Sequence, residues 1–198
     1  MSQNISNLLS NYKNIWISSD FHFGHSNIVR GISTWNKGYR DFNTQQEHDE
    51  TIIENINDRI MENDLLIQLG DFAFGKKEET VPYYRNKLKV KKIISIVGNH
   101  CKKKVLENVF GKENVFDIFE FKYKKRLLIM CHYPIDYWKE HDRGSCMLHG
   151  HKHLDSDKKF TGNRRMDVGL DGNNMKPYYL DDIIDILSAQ PIGEGRHQ

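Results

Sequence analysis

Side chains that can bind metal ions come directly after several predicted strands of this chain. They belong to five short motifs, which are Asp20-Phe21-His22, Gly70-Asp71, Gly98-Asn99-His100, His132 and Gly150-His151-Lys152-His153. In an extended chain, residues two apart point to the same side, so Asp20 with His22, and His151 with His153, can each offer two ligands to one cavity. A carboxylate has two oxygens, and Asp71 is therefore a candidate bridge between two ions. The pattern indicates a two-metal hydrolytic site.

The strands that must position these motifs are short apolar runs. They are predicted at residues 15–19, 65–69 and 92–97, in a hairpin of residues 115–123 and 126–131, and at residues 147–149 and 165–168. The hairpin delivers His132 at its end, and the charged pair Lys124-Lys125 joins its two members. Open α/β sheets build their sites at the carboxyl ends of strands, which is where the motifs stand.

Helical spacing of apolar residues separates several of these strands. The predicted helices cover residues 45–62, 81–89 and 180–189. Thr44 and Glu47 form a capping box at the start of the first helix, and Pro82 is read as a break at the start of the second. Strands and helices alternate first, and hairpin-like strands follow, so we predict an α/β fold with mixed sheets.

Length and composition limit the class of protein. With 198 residues, 38% of them hydrophobic, the chain is predicted to be a single domain over residues 1–198, with loosely ordered ends at 1–13 and 191–198. The net charge of +2 gives no strong basic field for a long nucleic acid or a membrane. Residues 1–12 lack an apolar signal region, and no apolar run could cross a bilayer, so a cytoplasmic protein is expected. Three cysteines without metal-ligand spacing fit reduced thiols.

In order, composition and spacing, the five motifs resemble those of the calcineurin-like metallophosphoesterases, and the resemblance extends from Asp20 to His153. It implies a four-layer α/β/β/α sandwich of two mixed sheets flanked by helices, as in small single-domain members from bacteria and phages. It also implies two groups of metal ligands. The first comprises Asp20, His22, Asp71 and His153, and the second comprises Asp71, Asn99, His132 and His151.

The implied cofactors are two divalent transition-metal ions. Imidazole and carboxylate ligands without thiolate favour manganese, with iron, zinc or cobalt as alternatives, over calcium and magnesium. Two such ions carry four positive charges and Asp20 and Asp71 return two negative ones, so the site stays electrophilic toward phosphate. A hydroxide bridging the ions would attack phosphorus. His100 is implied to be catalytic, by protonating or stabilising the leaving-group oxygen.

Two departures from the family pattern concern His100. Cys101 follows it where an acidic residue is frequent, and Phe74 stands where the protein-phosphatase branch has an aspartate that orients this histidine. Both argue against protein-phosphatase activity. His25 has two open interpretations, a contact to substrate phosphate or a hydrogen bond inside the first loop. Tyr133 either fixes the loop after His132 or stacks on a base.

Other polar residues receive simpler interpretations. We expect His149 to be a core histidine, Cys101 a small buried thiol, and His48 and His141 surface residues. Arg164 and Arg165 are either phosphate contacts or solvated side chains.

The leading hypothesis is a metal-dependent phosphoesterase that hydrolyses a phosphodiester, with a nucleotide as one candidate, or a phosphomonoester. A phosphodiesterase is favoured over a phosphatase, and a diphosphate hydrolase stays open. The alternative from another class is a non-catalytic binding scaffold of the same fold, against which the full set of histidines argues. The expected partner is a small phosphoester, with no membrane, while the oligomeric state is left open. A nuclease that acts on a long nucleic acid is a third possibility, against which the near-neutral charge argues.

Overall fold

We describe the chain from a computed structural model, which covers Leu9, residues 11–35 and residues 40–194. The expectation of loosely ordered ends falls in part on residues 1–8, 10 and 195–198, which lie outside the described residues. Within the first of these ends, Leu9 is buried in the main core and Tyr12 packs against it. The prediction of a single domain stays a prediction.

Nine strands and four helices occur in the described residues. The strands are β1 (Ile15–Ser18), β2 (Leu65–Gln68), β3 (Lys92–Ile96), β4 (Val115–Phe116), β5 (Ile118–Tyr123), β6 (Arg126–Cys131), β7 (Cys146–His149), β8 (Arg165–Asp167) and β9 (Tyr178–Tyr179). The helices are α1 (Gln45–Arg59), α2 (Lys77–Lys87), α3 (Lys103–Phe110) and α4 (Leu180–Ser188). Short 3₁₀ turns lie at Ser26–Ile28, Lys112–Asn114, His141–Arg143 and Leu170–Asn173.

The first sheet has the strand order β4-β3-β2-β1-β9. Strands β1 to β4 pair in parallel, and β9 pairs antiparallel with β1 at the edge. Because β1, β2 and β3 are parallel and in register, their carboxyl ends lie side by side at one edge of the sheet. The three motifs that follow these strands therefore start from neighbouring positions.

The second sheet has the order β5-β6-β7-β8, with an antiparallel β5–β6 hairpin and parallel pairs β6–β7 and β7–β8. The parallel pairing of β6 and β7 brings His132 and the Gly150 motif to the same edge. Both sheets are mixed, and the described residues contain four helices, as predicted.

The strand predicted over residues 115–123 is wrong as a single element. Val115 and Phe116 pair with β3 in the first sheet, and the chain then passes Asp117 and begins β5 in the second sheet. Within β5, Phe119 and Phe121 face the core while their neighbours are exposed. Apolar residues on both sides of the crossing make the run look continuous, and periodicity does not report a change of sheet.

The main core lies between the two sheets. Its buried members come from the inner faces of both sheets and from α4, and they include Ile17, Ile67, Ile94, Phe119, Leu128, Met130, Leu148, Met166 and Leu187. A second cluster packs α1, α2 and α3 against the outer face of the first sheet. On the outer face of the second sheet, Trp138 and Ile135 cover Leu127, Ile129 and Met147. The sheets are thus held in place by apolar contacts on both faces.

The predicted helix α1 begins at its capping box. The Glu47 amide donates to Thr44 Oγ1 at 3.1 Å, and the Glu47 carboxylate accepts from the Asn43 amide at 2.9 Å. The break predicted at Pro82 is wrong, because α2 begins earlier, at Lys77, and includes the proline. Proline costs this helix one amide donor, whereas two glutamates in its first turn favour the start at Lys77.

No helix within the described ranges is both long and apolar enough to cross a membrane.

The hairpin turn offers a test of local strain. Lys124 and Lys125 have φ values of 45° and 66°, which lie in the left-handed region that a two-residue turn between twisted strands requires. A lysine in this region destabilises the folded state by about 1–2 kcal/mol. Glycine removes this cost, but its greater flexibility stabilises the unfolded state and offsets part of the gain. We expect Lys125→Gly to raise the free energy of unfolding by about 0.5–1 kcal/mol in urea titrations.

Lys122→Gly serves as the matched control, because Lys122 is an exposed lysine inside β5. This change should lower stability by about 0.5–1 kcal/mol. A Lys125→Gly variant that is no more stable than Lys122→Gly would contradict the assigned turn.

Candidate metal centre

The residues that follow β1, β2 and β7 leave their strands with a left-handed backbone. The φ values are 59° at Asp20, 51° at His22, 55° at Asp71, 71° at His151 and 51° at His153. The extended chain assumed from the sequence for the Asp20 and His151 pairs is therefore wrong. Non-glycine residues in this region store strain that is typical of functional sites. The turns direct all five side chains into one cluster, which an unbroken strand would not do.

Close packing of the motif glycines allows this convergence. A side chain on Gly98 would collide with the carboxylate and backbone of Asp71, and one on Gly150 would collide with Ser19 and Asp20. The glycines of the Gly-Asn-His and Gly-His motifs thus let two strand ends approach each other.

One group of donor atoms consists of Asp20 Oδ1, His22 Nε2 and His153 Nε2. The two imidazole nitrogens are 3.2 Å apart, and each lies 3.6 Å from Asp20 Oδ1. Two donors bound to one ion at about 2.1 Å lie roughly 3.0–3.4 Å apart. These three atoms could therefore share a metal ion, and they lie within 4.8 Å of one another.

A second group lies beside the first. Asn99 Oδ1 is 2.8 Å from His132 Nε2 and 3.0 Å from His151 Nδ1. Asp71 Oδ2 stands between the groups, 3.3 Å from His132 Nε2 and 3.7 Å from His22 Nε2. The structure thus brings together all seven residues that the sequence marks as candidate ligands.

In the second group, two hydrogen-bond acceptors face each other, His132 Nε2 and Asn99 Oδ1. The His132 ring bonds through Nδ1 to the Leu69 carbonyl at 2.9 Å, so Nδ1 carries the proton and a neutral ring has its lone pair on Nε2. That lone pair points to the amide oxygen of Asn99. A cation, or a proton on the ring, must lie there for the contact to be favourable.

The first group contains a carboxylate oxygen that lacks a hydrogen-bond partner. Asp20 Oδ1 is buried and accepts no hydrogen bond from the described residues. The other oxygen, Oδ2, accepts the backbone amide of His151 at 3.0 Å. A buried anionic oxygen without a donor is costly, so this atom fits a cation ligand.

The pKa values favour the forms that bind metal. Burial would raise the pKa of Asp20, but His22 and the other nearby imidazoles outweigh it and lower the pKa. The pKa of Asp71 is lowered in the same way, chiefly by His132 against the effect of burial. Burial lowers the pKa of His22 to about 4, so this ring is neutral near pH 7. Ionised carboxylates and a neutral imidazole are the states that coordinate a metal.

Two other histidines behave differently. The pKa of His132 is raised by Asp71, and the pKa of His153 is raised by Asp171, in each case against the opposing effect of burial. These rings attract positive charge, which a metal ion can supply in place of a proton.

His100 lies next to this cluster and is oriented by ring packing. Its backbone amide donates to Asp71 Oδ1 at 2.9 Å. Its ring centre lies 5.4 Å from Phe74, 5.6 Å from His22 and 5.9 Å from His25. Phe74 thus replaces an orienting carboxylate with an aromatic contact.

His25 is buried and stacks on Phe74 with ring centres 3.9 Å apart. Its Nδ1 has no hydrogen-bond partner among the described residues, and burial lowers its pKa to about 4. The hydrogen bond expected inside the first loop is therefore not made by this atom.

Buried polar residues that the sequence did not mark support the cluster from below. Asp171 contacts both His153 and Arg40, and Arg40 contacts His48. His48 is 0% exposed, so its prediction as a surface residue is wrong. The helical position of His48 did not reveal this, because Arg40 reaches it from a segment outside α1.

The structure also shows the environments of three further residues that were interpreted from the sequence. His149 is buried and bonded to the Gly150 carbonyl and Thr161, as a core histidine. Cys101 is half-buried, its Sγ lies 3.9 Å from Asp71 Oδ1, and burial raises its pKa. Arg164 is neither solvated nor a phosphate ligand, because it is buried and donates to the carbonyls of Gly144, Ser188 and Gln190.

A cavity of about 280 Å³ opens onto the cluster. Its lining residues are His22, His25, Ile28, Trp35, Asp71, Asn99, His100, His151, Lys152 and His153. It can admit a small phosphoester group beside the donor atoms.

Comparisons with known proteins give matches over most of the chain. MJ1445, an uncharacterised protein of Methanocaldococcus jannaschii, is 28% identical over 179 residues, which cover 88% of this chain and 92% of that protein. The crystal structure of AQ665, a protein of unknown function from Aquifex aeolicus, aligns with a TM-score of 0.63 at 20% identity, covering 87% of this chain and 98% of that one. An archaeal phosphodiesterase aligns with a TM-score of 0.43 at 18% identity, covering 79% and 82% of the two chains.

The family model for calcineurin-like phosphoesterases matches residues 13–195, a span that contains all five motifs. Divalent metal ions are implied by this family, and the donor groups described above are placed to hold them. The chain belongs to the calcineurin-like phosphoesterase family.

Proposed function

We propose that this protein is a dinuclear metal-dependent phosphoesterase that prefers phosphodiesters. The observation that carries the proposal is the position of Asp71 Oδ2, which faces His22 Nε2 at 3.7 Å and His132 Nε2 at 3.3 Å. One carboxylate oxygen thus adjoins both donor groups. This is the arrangement that a bridging ligand between two ions requires.

The proposed ligands follow the two groups. Asp20, His22, Asp71 and His153 would hold the first ion, and Asp71, Asn99, His132 and His151 would hold the second. When bound, the ions would polarise the phosphoryl oxygens and activate the water that attacks phosphorus. Nitrogen and oxygen donors without thiolate favour manganese, with iron, zinc or cobalt as alternatives.

His100 is the proposed general acid. Its ring lines the cavity without belonging to either donor group, and its own amide ties it to Asp71. A proton on this ring could pass to the oxygen of the departing group. His25 packs beside it, and its uncharged ring would border the substrate.

The preference for a diester is supported by two half-exposed aromatic residues. Trp35 is 49% exposed, lines the cavity and contacts the His25 ring edge-on at 5.6 Å. Tyr133 is 45% exposed and contacts the rings of His151 at 4.9 Å and His132 at 5.2 Å. A diester carries two organic groups. Trp35 adjoins the site beside His25, and Tyr133 adjoins it beside His132 and His151. Planar groups such as nucleobases would stack on them.

The metal assignment predicts different losses for different ligands. Asp71→Ala should lose both ions because it removes the shared ligand, whereas His151→Ala should lose the second ion alone. The measurement is manganese content by mass spectrometry after loading and desalting, with circular dichroism to confirm folding.

His141→Ala is the control, because His141 lies outside the cluster and contacts the Glu194 carbonyl. It should retain as much metal as the wild type. An Asp71→Ala protein that is folded and keeps both ions would contradict the bridge.

The role of His100 predicts a loss of turnover without a loss of metal. His100→Ala should reduce kcat by about 10²–10⁴-fold, the usual contribution of a general acid. The assay uses a manganese-loaded protein whose metal content is measured in the same preparation. Metal content that falls with activity would instead place His100 among the ligands.

The diester preference is tested with bis-(p-nitrophenyl) phosphate against p-nitrophenyl phosphate, in the presence of manganese. We expect the larger kcat/KM for the diester, and a drop of about 10-fold for the diester in Trp35→Ala, since stacking on one ring is lost. Trp138→Phe is the control, because Trp138 is buried on the outer face of the second sheet. Faster hydrolysis of the monoester would favour a phosphomonoesterase.

A further inference from the structure

Asp171 and Arg40 lie beneath the first donor group and touch it from two sides. We infer that they are positioning residues for the first ion, which hold His153 and the Asp20 loop in the geometry that binds it. The inference rests on the assignment of His153 under the proposed function. Neither residue belongs to the five motifs.

Asp171 fixes the orientation of the His153 ring. Asp171 Oδ2 lies 3.0 Å from His153 Nδ1, so this nitrogen carries the proton and donates it. The lone pair of the neutral ring is then on Nε2, which faces His22 Nε2 and Asp20 Oδ1. A carboxylate in this position also increases the basicity of a ligand histidine.

Arg40 in turn fixes Asp171. Its Nε donates to Asp171 Oδ1 at 3.0 Å, and its Nη2 donates to Asp171 Oδ2 at 2.9 Å. This two-point contact sets the plane of the carboxylate, which a single ammonium group could not do. Arg40 is 2% exposed, so little solvent competes for these bonds.

The same guanidinium group holds the other side of the first donor group. Arg40 Nη2 donates to the carbonyl oxygen of Asp20, and Nη1 donates to that of Phe21 at 3.1 Å. These carbonyls belong to the strained loop that carries Asp20 and His22. Arg40 therefore links the loop after β1 to the histidine after β7.

Arg40 is itself held by α1. Its Nη1 lies 2.9 Å from His48 Nε2, and His48 Nδ1 lies 2.8 Å from Asp49 Oδ1. The His48 ring donates to Asp49 through Nδ1, which leaves Nε2 free to accept from Arg40. Asp49 also accepts from Tyr84 Oη at 2.6 Å. A chain of buried bonds thus connects the helix layer to the proposed metal site.

A buried ion pair that served folding alone would give a different result from a positioning device. Its loss would lower stability and leave the affinity of the folded protein for metal unchanged. The test therefore measures metal affinity in a variant of almost unchanged shape, together with its unfolding in urea.

Asp171→Asn is the decisive variant, because it keeps the size of the side chain and removes the charge and one acceptor. Both it and its reference are made in a His151→Ala background, where the first ion alone is expected to bind. We expect the Kd for Mn²⁺, measured by competition with a fluorescent chelator, to rise about 10–100-fold. With Co²⁺, the visible absorption bands should shift, because they report ligand geometry.

Asp167→Asn is the matched control. Asp167 is also a buried carboxylate near Asp20, but its Oδ1 accepts from the Gly169 amide rather than from a histidine. Burial raises the pKa of Asp167 to about 7, so the variants are compared at pH 8, where this carboxylate is ionised. The Kd of Asp167→Asn for Mn²⁺ should stay within about 3-fold of the reference. Arg40→Lys is a second variant, which keeps the charge and loses the two-point contact with Asp171. It should also weaken the binding of the first ion.

Two outcomes would overturn the inference. One is an Asp171→Asn protein that binds Mn²⁺ as tightly as its reference, and the other is an equal loss in Asp167→Asn, which would indicate general electrostatics. The failure of the proposed function would look different. In that case the protein without any substitution would not bind two ions, or His153→Ala would bind the first ion with normal affinity.

Discussion

Two carboxylates are buried side by side at the ends of parallel strands, and the cost of removing their charge from water constrains everything around them. Asp20 and Asp71 are 0% and 1% exposed. Burial of an unpaired ion costs several kcal/mol even after relaxation. One oxygen of each is stabilised by a backbone amide, from His151 for Asp20 and from His100 for Asp71. The other oxygens face imidazole nitrogens, so positive charge must enter the cluster as protons or as metal ions.

This requirement explains the unusual backbone at the strand ends. In a regular strand, neighbouring side chains point to opposite faces of the sheet, so few of them could reach a common point beyond its edge. A left-handed turn directly after the strand redirects the side chain past that edge. The hydrogen bonds that pair β1, β2 and β7 with their neighbours anchor these turns. The motif glycines leave room for the strand ends to approach each other. Strain in the loops is thus sustained by the regular sheets behind them.

The sequence predicted the parts of the site whose signal is local. Short apolar runs followed by a candidate metal ligand predicted the ends of β1, β2, β3 and β6 to within one residue, and the capping box predicted the start of α1. The prediction failed where the cause is distant. The passage from β4 to β5 depends on which sheet pairs with each half of the run, and the burial of His48 depends on Arg40, which approaches from outside the helix. Aspartate is enriched in the left-handed region, but most aspartates do not adopt it, so residue type alone does not predict the positive φ values of Asp20 and Asp71.

Arg40 and Asp171 show why the two donor groups differ physically. They are 131 residues apart in sequence, and the carboxylate between Arg40 and His153 belongs to a charged buried network. The second group is oriented mainly by backbone, through the bond between His132 and the Leu69 carbonyl, and His151 is exposed to the cavity. Ligands of both proposed ions line the cavity, but those of the first, His22 and His153, are less exposed than Asn99 and His151 of the second. Because ligands reach an ion through its open positions, a substrate would approach an ion held by the exposed Asn99 and His151 without disturbing the buried network.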